Sequence, residues 1–217
     1  MKFGPAPLNE SIGAIVAHAL RIDGLVLKKG DVIDAVHVRA LEAAGVREIV
    51  VAQMEEGDVS EDEAAALLAK AAAGEGVRVD RAFTGRANLF AQEAGVLVVD
   101  AANLDRVNDL DETLTIATLP PWRMVEAGEM VGTVKVIPFA VPRETLNAAI
   151  RASNIPPVRV AAFKPMRVGV LSTLLPGLKD SVVAKTLRVM DERLAPIERR
   201  ERLLEIPVER EDRTALR

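Results

Sequence analysis

The run from 60 to 74 constrains the fold more than any other stretch of this sequence. Ser60 stands three residues before Glu63, the spacing of a capping box; residues 64–73 are strong helix formers, and Gly74 supplies a stop. The stretches on either side, 46–52 and 77–83, read as strands. A helix held between strands makes the chain mixed rather than all-α or all-β.

The same punctuation continues in both directions. Residues 11–21 read as an apolar strand and 24–31 as a turn-rich return bracketed by Gly24 and Gly30, together a β hairpin. A helix is expected over 35–44, because Val36, Ala40, Leu41 and Ala44 share one face, with Asp34 as N-cap and Gly45 as stop. Short helices are expected at 87–93 and 103–109, strands at 96–99, 114–118 and 131–138, and a helix over 143–152 entered after Pro142. Ser153, Asn154, Ile155, Pro156 and Pro157 form the best linker, dividing the chain into 1–155 and 156–217. Beyond it, 167–172 reads as a compact apolar strand, and a helix from about Ser181 aligns Val183, Leu187, Met190 and Leu194. A further strand over 203–208 and a helix starting in 209–217 complete the pattern. The expected fold class is α/β: a mixed α+β N-terminal region with β hairpins, then the start of a three-layer α/β domain. So short a strand-helix-strand unit cannot cover both faces of a parallel sheet, so the second domain reads as truncated.

Composition narrows the function. With 217 residues, 49% of them hydrophobic and 28% charged, the chain is globular rather than disordered. No apolar run approaches the roughly 20 residues of a membrane span, and the N-terminus lacks the apolar core of a signal peptide, so a cytoplasmic protein is expected. The absence of cysteine excludes disulfides, thiolate catalysis and cysteine-ligated zinc or iron–sulfur clusters. A net charge of -4, and eight arginines balanced by eight acids from Arg188 to Arg217, leave no basic footprint for nucleic acid or an anionic membrane. Five Phe, one Trp and no Tyr make a base-stacking platform a poor expectation, and the core must be built from Ala, Val, Leu and Ile.

Two loops carry the types of residue that chemistry needs. The first joins the strand at 167–172 to the helix near Ser181, where backbone N–H groups and the positive end of a helix attract anions. In it, Ser172, Thr173 and Ser181 are donors to a phosphate, Lys179 supplies charge, Gly177 turns the chain and Asp180 begins the helix. The same residues equally make an ordinary turn and N-cap, and neither a Walker nor a dinucleotide pattern is present. The second runs from Thr84 and Gly85 to Leu89, with Arg86 and Asn88 offering forked hydrogen bonds, or else an ion pair and a local cap. His18 and His37 lack a partner at a metal-ligand spacing, so no metal cluster is expected from them. Asp58, Glu61, Asp62 and Glu63 read as a helix N-terminus rather than a catalytic cluster. No residue stands out as a nucleophile or general base, which leaves enzyme activity open.

The strand and loop Arg167, Val168, Gly169, Val170, Leu171, Ser172 and Thr173, followed by Gly177 and by Lys179, Asp180 and Ser181, resemble the first strand and loop of the molybdopterin-binding domain. The stretches Leu27 to Asp31 and Ala40 to Val46 resemble the segment that precedes that domain. Phe3, Gly4 and Pro5, the run from Glu10 to Leu20, and that from Phe83 to Phe90 resemble a bacterial subgroup in which this half is fused to a nucleotidyltransferase. The resemblance implies a bacterial molybdopterin-binding protein of molybdenum-cofactor biosynthesis whose three-layer domain is the pterin-binding one. It implies a phosphate-containing pterin held by Ser172, Thr173, Gly177, Lys179, Asp180 and Ser181, a divalent metal such as Mg, a nucleotide as a further ligand, and a homo-oligomer. The family's acidic pair after the Ser-Thr step is replaced here by Leu174, Leu175 and Pro176, so molybdate insertion is not carried over. The alternatives are a non-catalytic assembly or oligomerisation module for a maturation partner, and a carbohydrate or nucleotide-sugar enzyme, which would need a closed polar cleft with paired carboxylates.

Overall fold

A computed structural model of the chain describes residues 1–22, 24–153, 155–164 and 179–194. It divides into two compact units, Met1–Ala162 and Phe163–Arg217.

The first unit opens with β1 (Lys2–Pro7), a 3-10 turn at Leu8–Glu10, β2 (Ile15–Val16), β3 (Leu20–Ile22), β4 (Leu25–Leu27), α1 (Ala35–Ala43) and β5 (Glu48–Gln53). β5 is the central strand of an antiparallel sheet, with β1 on one side and β2 on the other, and a bridge from Ile15 to Val32 extends the order by one position. The hairpin expected near Gly24 is present as β3 and β4. The single strand expected over 11–21 is not continuous. β2 pairs with β5 whereas β3 pairs with β4, and the chain bends between the two sheets at Ala17, His18 and Ala19, leaving His18 exposed. The Leu8 N–H donates to the Arg47 carbonyl (3.2 Å), which sets the alternation of β1. Pro5 and Pro7, having no N–H to give, occupy its outward-facing positions and blunt that edge.

α1 begins where Asp34 predicts. Its carboxylate accepts from the N–H groups of Val36 (2.8 Å) and His37 (2.9 Å), while His37 Nδ1 accepts from the Asp34 N–H (3.3 Å), a reciprocal cap built with histidine. Gly45, at φ 79°, follows the helix. Val38 and Leu41 face inward onto Ala6, Leu8, Val16, Leu27, Ile33 and Val51, a first core.

The rest of the unit is organised around α2 (Glu61–Ala72), whose Ser60 hydroxyl accepts from the Glu63 N–H at 3.4 Å. Ala64, Ala65, Leu68, Ala69 and Ala72 are fully buried along one side. This mostly alanine face brings the helix close to a sheet of β7 (Val77–Val79), β8 (Arg86–Ala91), β10 (Leu114–Thr118) and β12 (Met130–Val136), in the order β10-β12-β8-β7. The helix expected over 87–93 is therefore corrected: that stretch is β8, hydrogen-bonded on both sides. Its alanines are helix formers in isolation, but Ala87, Leu89 and Ala91 alternate inward at a period of two, the small residues lying under α2.

A further three-stranded sheet joins β9 (Gly95–Val99) to β11 (Met124–Val125) and β14 (Val158–Ala162), in the order β11-β9-β14, and a ribbon pairs β6 (Asp58–Ser60) with β13 (Ala140–Pro142). α3 (Ala101–Asn108) and α4 (Arg143–Ala152) form close to the expected positions. Beyond the expected linker the chain re-enters this sheet: Val158 pairs with Val99 and is fully buried, and the compact unit runs to Ala162. The fold class is α+β, and every ladder between described strands is antiparallel.

In the second unit, α5 (Asp180–Leu194) is the helix expected from Ser181, and Val183, Leu187, Met190 and Leu194 lie half-buried along it. The strands expected at 167–172 and 203–208, and the helix at 209–217, lie outside the described residues. No described helix is long and apolar enough to cross a membrane.

Candidate functional site

Of the residues expected at a phosphate, Ser172, Thr173 and Gly177 lie outside the described residues. Lys179, Asp180 and Ser181 are exposed at the start of α5, where the Val182 N–H donates to the Lys179 carbonyl (2.9 Å). Asp180 suits the positive end of the helix, and a carboxylate is the type of group that accepts a hard cation rather than one that donates to phosphate. Lys179 and Ser181 have the cationic and hydroxyl groups that phosphate accepts from.

The second expected loop is a tight turn. Phe83 and Arg86 exchange both backbone hydrogen bonds, at 2.9 and 3.2 Å, around Thr84 and Gly85. Both central residues have positive φ, 50° and 68°, the condition for the turn that matches hairpin twist. The Gly85 N–H donates to Asp62 Oδ1 (2.8 Å), so the turn docks on the first helical turn of α2. A Cβ at Gly85 would stand 2.5 Å from the Val136 carbonyl oxygen and 2.8 Å from Glu61 Oε2. Further along, Asn88 Oδ1 accepts from the Thr133 hydroxyl (2.9 Å) across the ladder, and Arg86 is exposed. Asn88 is thus engaged within the sheet.

Glu61 is the carboxyl most altered by this docking. Burial, and secondarily the neighbouring Asp62 charge, push its pKa above the usual carboxylate range, with Lys29 opposing them. The Glu61 N–H donates to the Phe139 carbonyl (2.9 Å), and the Lys29 ammonium lies 5.2 Å from the centre of the Phe139 ring. The turn after β4 and the start of α2 therefore meet at one place, beside a strained threonine and the exposed Phe83. Around it the other acids are divided: Asp58 and Glu55 bind the N-terminal ammonium at 2.8 and 2.9 Å, and Glu63 lies 3.8 Å from Arg143. Sequence showed an acid-rich first turn at 61–63, but the approach of Lys29, more than thirty residues earlier, depends on tertiary structure alone.

His37 is committed to the α1 cap, and among the described residues no three His, Asp or Glu side chains gather as metal ligands. An open concavity of about 500 Å³ is lined by Leu8, Asn9, Glu42, Gly45, Val46 and Arg47. Asn103, at 2% exposure, donates to the Ile155 carbonyl (2.8 Å), and its Oδ1 has no partner among the described residues.

Residues 5–53 match a family described as a domain of unknown function (DUF8806). The match spans the first sheet and the first core, Ala6 to Val51. No curated protein and no solved structure matches the chain.

Proposed function

We propose that this chain binds molybdopterin or a related phosphate-containing pterin in molybdenum-cofactor biosynthesis, through the loop from Ser172 to Ser181. The observation that carries the reading is the order of residues there: an apolar run over 167–171, Ser172 and Thr173, then Gly177 and Lys179, with Asp180 and Ser181 at the start of α5. It is supported by the exposure of Lys179 and Ser181 at the beginning of α5, where a helix terminus and an ammonium together attract a dianionic phosphate. Asp180 would hold a divalent ion such as Mg²⁺, whose bound charge would neutralise part of the phosphate; a nucleotide would present the same phosphate chemistry. The reading is one of binding in the cytoplasm of a bacterial cell, by a homo-oligomer, and assigns no catalytic residue.

The test is to purify the chain from a host that makes the cofactor, oxidise the released material and measure pterin fluorescence. Pterin from the parent, and its loss from a folded variant carrying Lys179→Ala and Asp180→Ala, is the expected outcome. Equal pterin from both would remove this loop from the site. No pterin from the parent would sink the binding proposal and favour a non-catalytic assembly or oligomerisation module.

A further inference from the structure

β10 is an edge of the four-stranded sheet, and its residues, Leu114 to Thr118, include no charge, no proline and no glycine. An edge of that composition, rich in β-branched side chains, is a template on which another chain adds a strand. Elsewhere edges are blunted: β1 by Pro5 and Pro7, and β7, at the far side of the same sheet, by its shortness and the exposed Arg78. β10 has neither device.

In an antiparallel ladder, alternate residues turn both backbone polar groups away from the paired strand. The Leu119 N–H donates to the Val131 carbonyl (2.9 Å), so Thr115 and Ala117 share its parity and bond to β12. Leu114, Ile116 and Thr118 therefore point N–H and C=O outward. Both outward groups of Ile116, the middle of that row, are taken by one side chain. Asn108, the last residue of α3, accepts from the Ile116 N–H through Oδ1 (2.8 Å) and donates to the Ile116 carbonyl through Nδ2 (3.0 Å). These are the two bonds that a residue of a neighbouring strand would make. To either side, the Leu114 N–H already donates to the Asp111 carbonyl (3.2 Å), and Pro120, the next residue of this parity after Thr118, has no N–H.

We infer that Asn108 is a latch on this edge: by holding both groups of Ile116 it prevents a second copy of the chain from pairing through its own β10. A copy is the partner that fits. About a two-fold axis between antiparallel β10 strands, Ile116 faces Ile116, and the two exchange the same pair of bonds that Asn108 makes. In that register Leu114 faces Thr118 and Glu112 faces Pro120, so no like charges meet. The latch is held in place by its own element: Leu104 and Val107 are buried, the Asp100 carboxylate caps the start of α3, and residues 109–113 alone join the helix to β10.

Hydrogen exchange read amide by amide, followed by sedimentation velocity, tests the latch. In the parent, the Ile116 amide is expected to have a protection factor at least tenfold above that of Thr118, two residues along the same edge; equal protection overturns the proposal. Asn108→Ala is expected to add self-association to the parent's state, with a Kd at least tenfold lower. Ala117→Lys in the same chain, which puts a charge on an exposed position of the edge, is expected to remove it. A folded Asn108→Ala that associates no more than the parent overturns the proposal, as does an association that Ala117→Lys leaves intact. Should the alanine variant not fold, Asn108→Leu replaces it, filling a similar volume with no hydrogen-bonding group, and the same outcomes are read. Pterin retention is a separate readout, so failure of either proposal is recognisable without the other.

Discussion

Thr84 sits where a hairpin turn of this kind ordinarily places asparagine or glycine. Its φ of 50° sets Cβ against the backbone at a cost of about 1–2 kcal/mol, which Asn tolerates better. Thr84→Asn is therefore expected to raise the urea midpoint modestly, whereas Gly85→Ala lowers stability by about 1–3 kcal/mol, since its methyl group meets a backbone carbonyl that cannot move without β12. If Gly85→Ala left the midpoint unchanged, the close approach to Val136 would be wrong. Glu61 gives a second prediction. Burial and Asp62 raise its folded pKa, so the native chain keeps that proton to higher pH than the unfolded chain does. Stability from this group falls as pH rises from the ordinary glutamate range through the raised value. Glu61→Gln should flatten that fall and leave the protein more stable at neutral pH, as urea titrations at a series of pH values would register.

Elements were legible where local signals and packing agreed. Asp34 and Ser60 capped the helices that they announced, and Leu114–Thr118 and Arg143–Ala152 formed at the positions expected. β8 was misread because alanine favours helix locally, whereas two neighbouring strands and the underside of α2 decide its conformation. Of the candidate site, only the residue types were legible; neither the docking of the turn at Thr84 and Gly85 on Asp62 nor the approach of Lys29 has a local signature. The α1 cap has a pH dependence opposite in sign to that of Glu61. Backbone N–H groups of His37 and Val36 depress the Asp34 pKa, so its contribution is present above the ordinary aspartate range and is lost as pH falls through the lowered value. Asp34→Asn should retain a cap without that acid loss, and persistence of the full loss in the variant would assign it to other carboxylates. The facing of α2 can be read from a pair of substitutions. Leu68→Ala, at a fully buried position, is expected to cost about 2–5 kcal/mol, and Leu67→Ala, at 37% exposure, under about 1 kcal/mol. Equal losses would mean that the helix is rotated.

At the scale of the molecule, the first unit carries two clusters of buried side chains rather than one. Ala6 to Val51 close around Leu41 beneath the first sheet, and Val59 to Val160 close around α2 and the remaining strands. The family match at 5–53 ends where the first cluster ends, so sequence kinship and packing draw the same boundary. Two cores within one unit behave as partly independent cooperative blocks when the contacts between them are fewer than those within. Polar contacts span them, among them Met1 with Asp58, whose side chains are largely buried, and Lys29 over Phe139; a few such point contacts transmit less of a core defect than a packed side-chain interface would. A cavity cut in one core should therefore loosen that core first. Hydrogen exchange followed by mass spectrometry checks this directly: Leu41→Ala is expected to speed exchange in α1 and β5 while leaving the amides of α2 and β8 near their parental rates, and Leu68→Ala to do the converse. Equal acceleration in both regions by either substitution would show that the two clusters open as a single block, in which case the boundary shared with the family match would reflect ancestry and not present cooperativity.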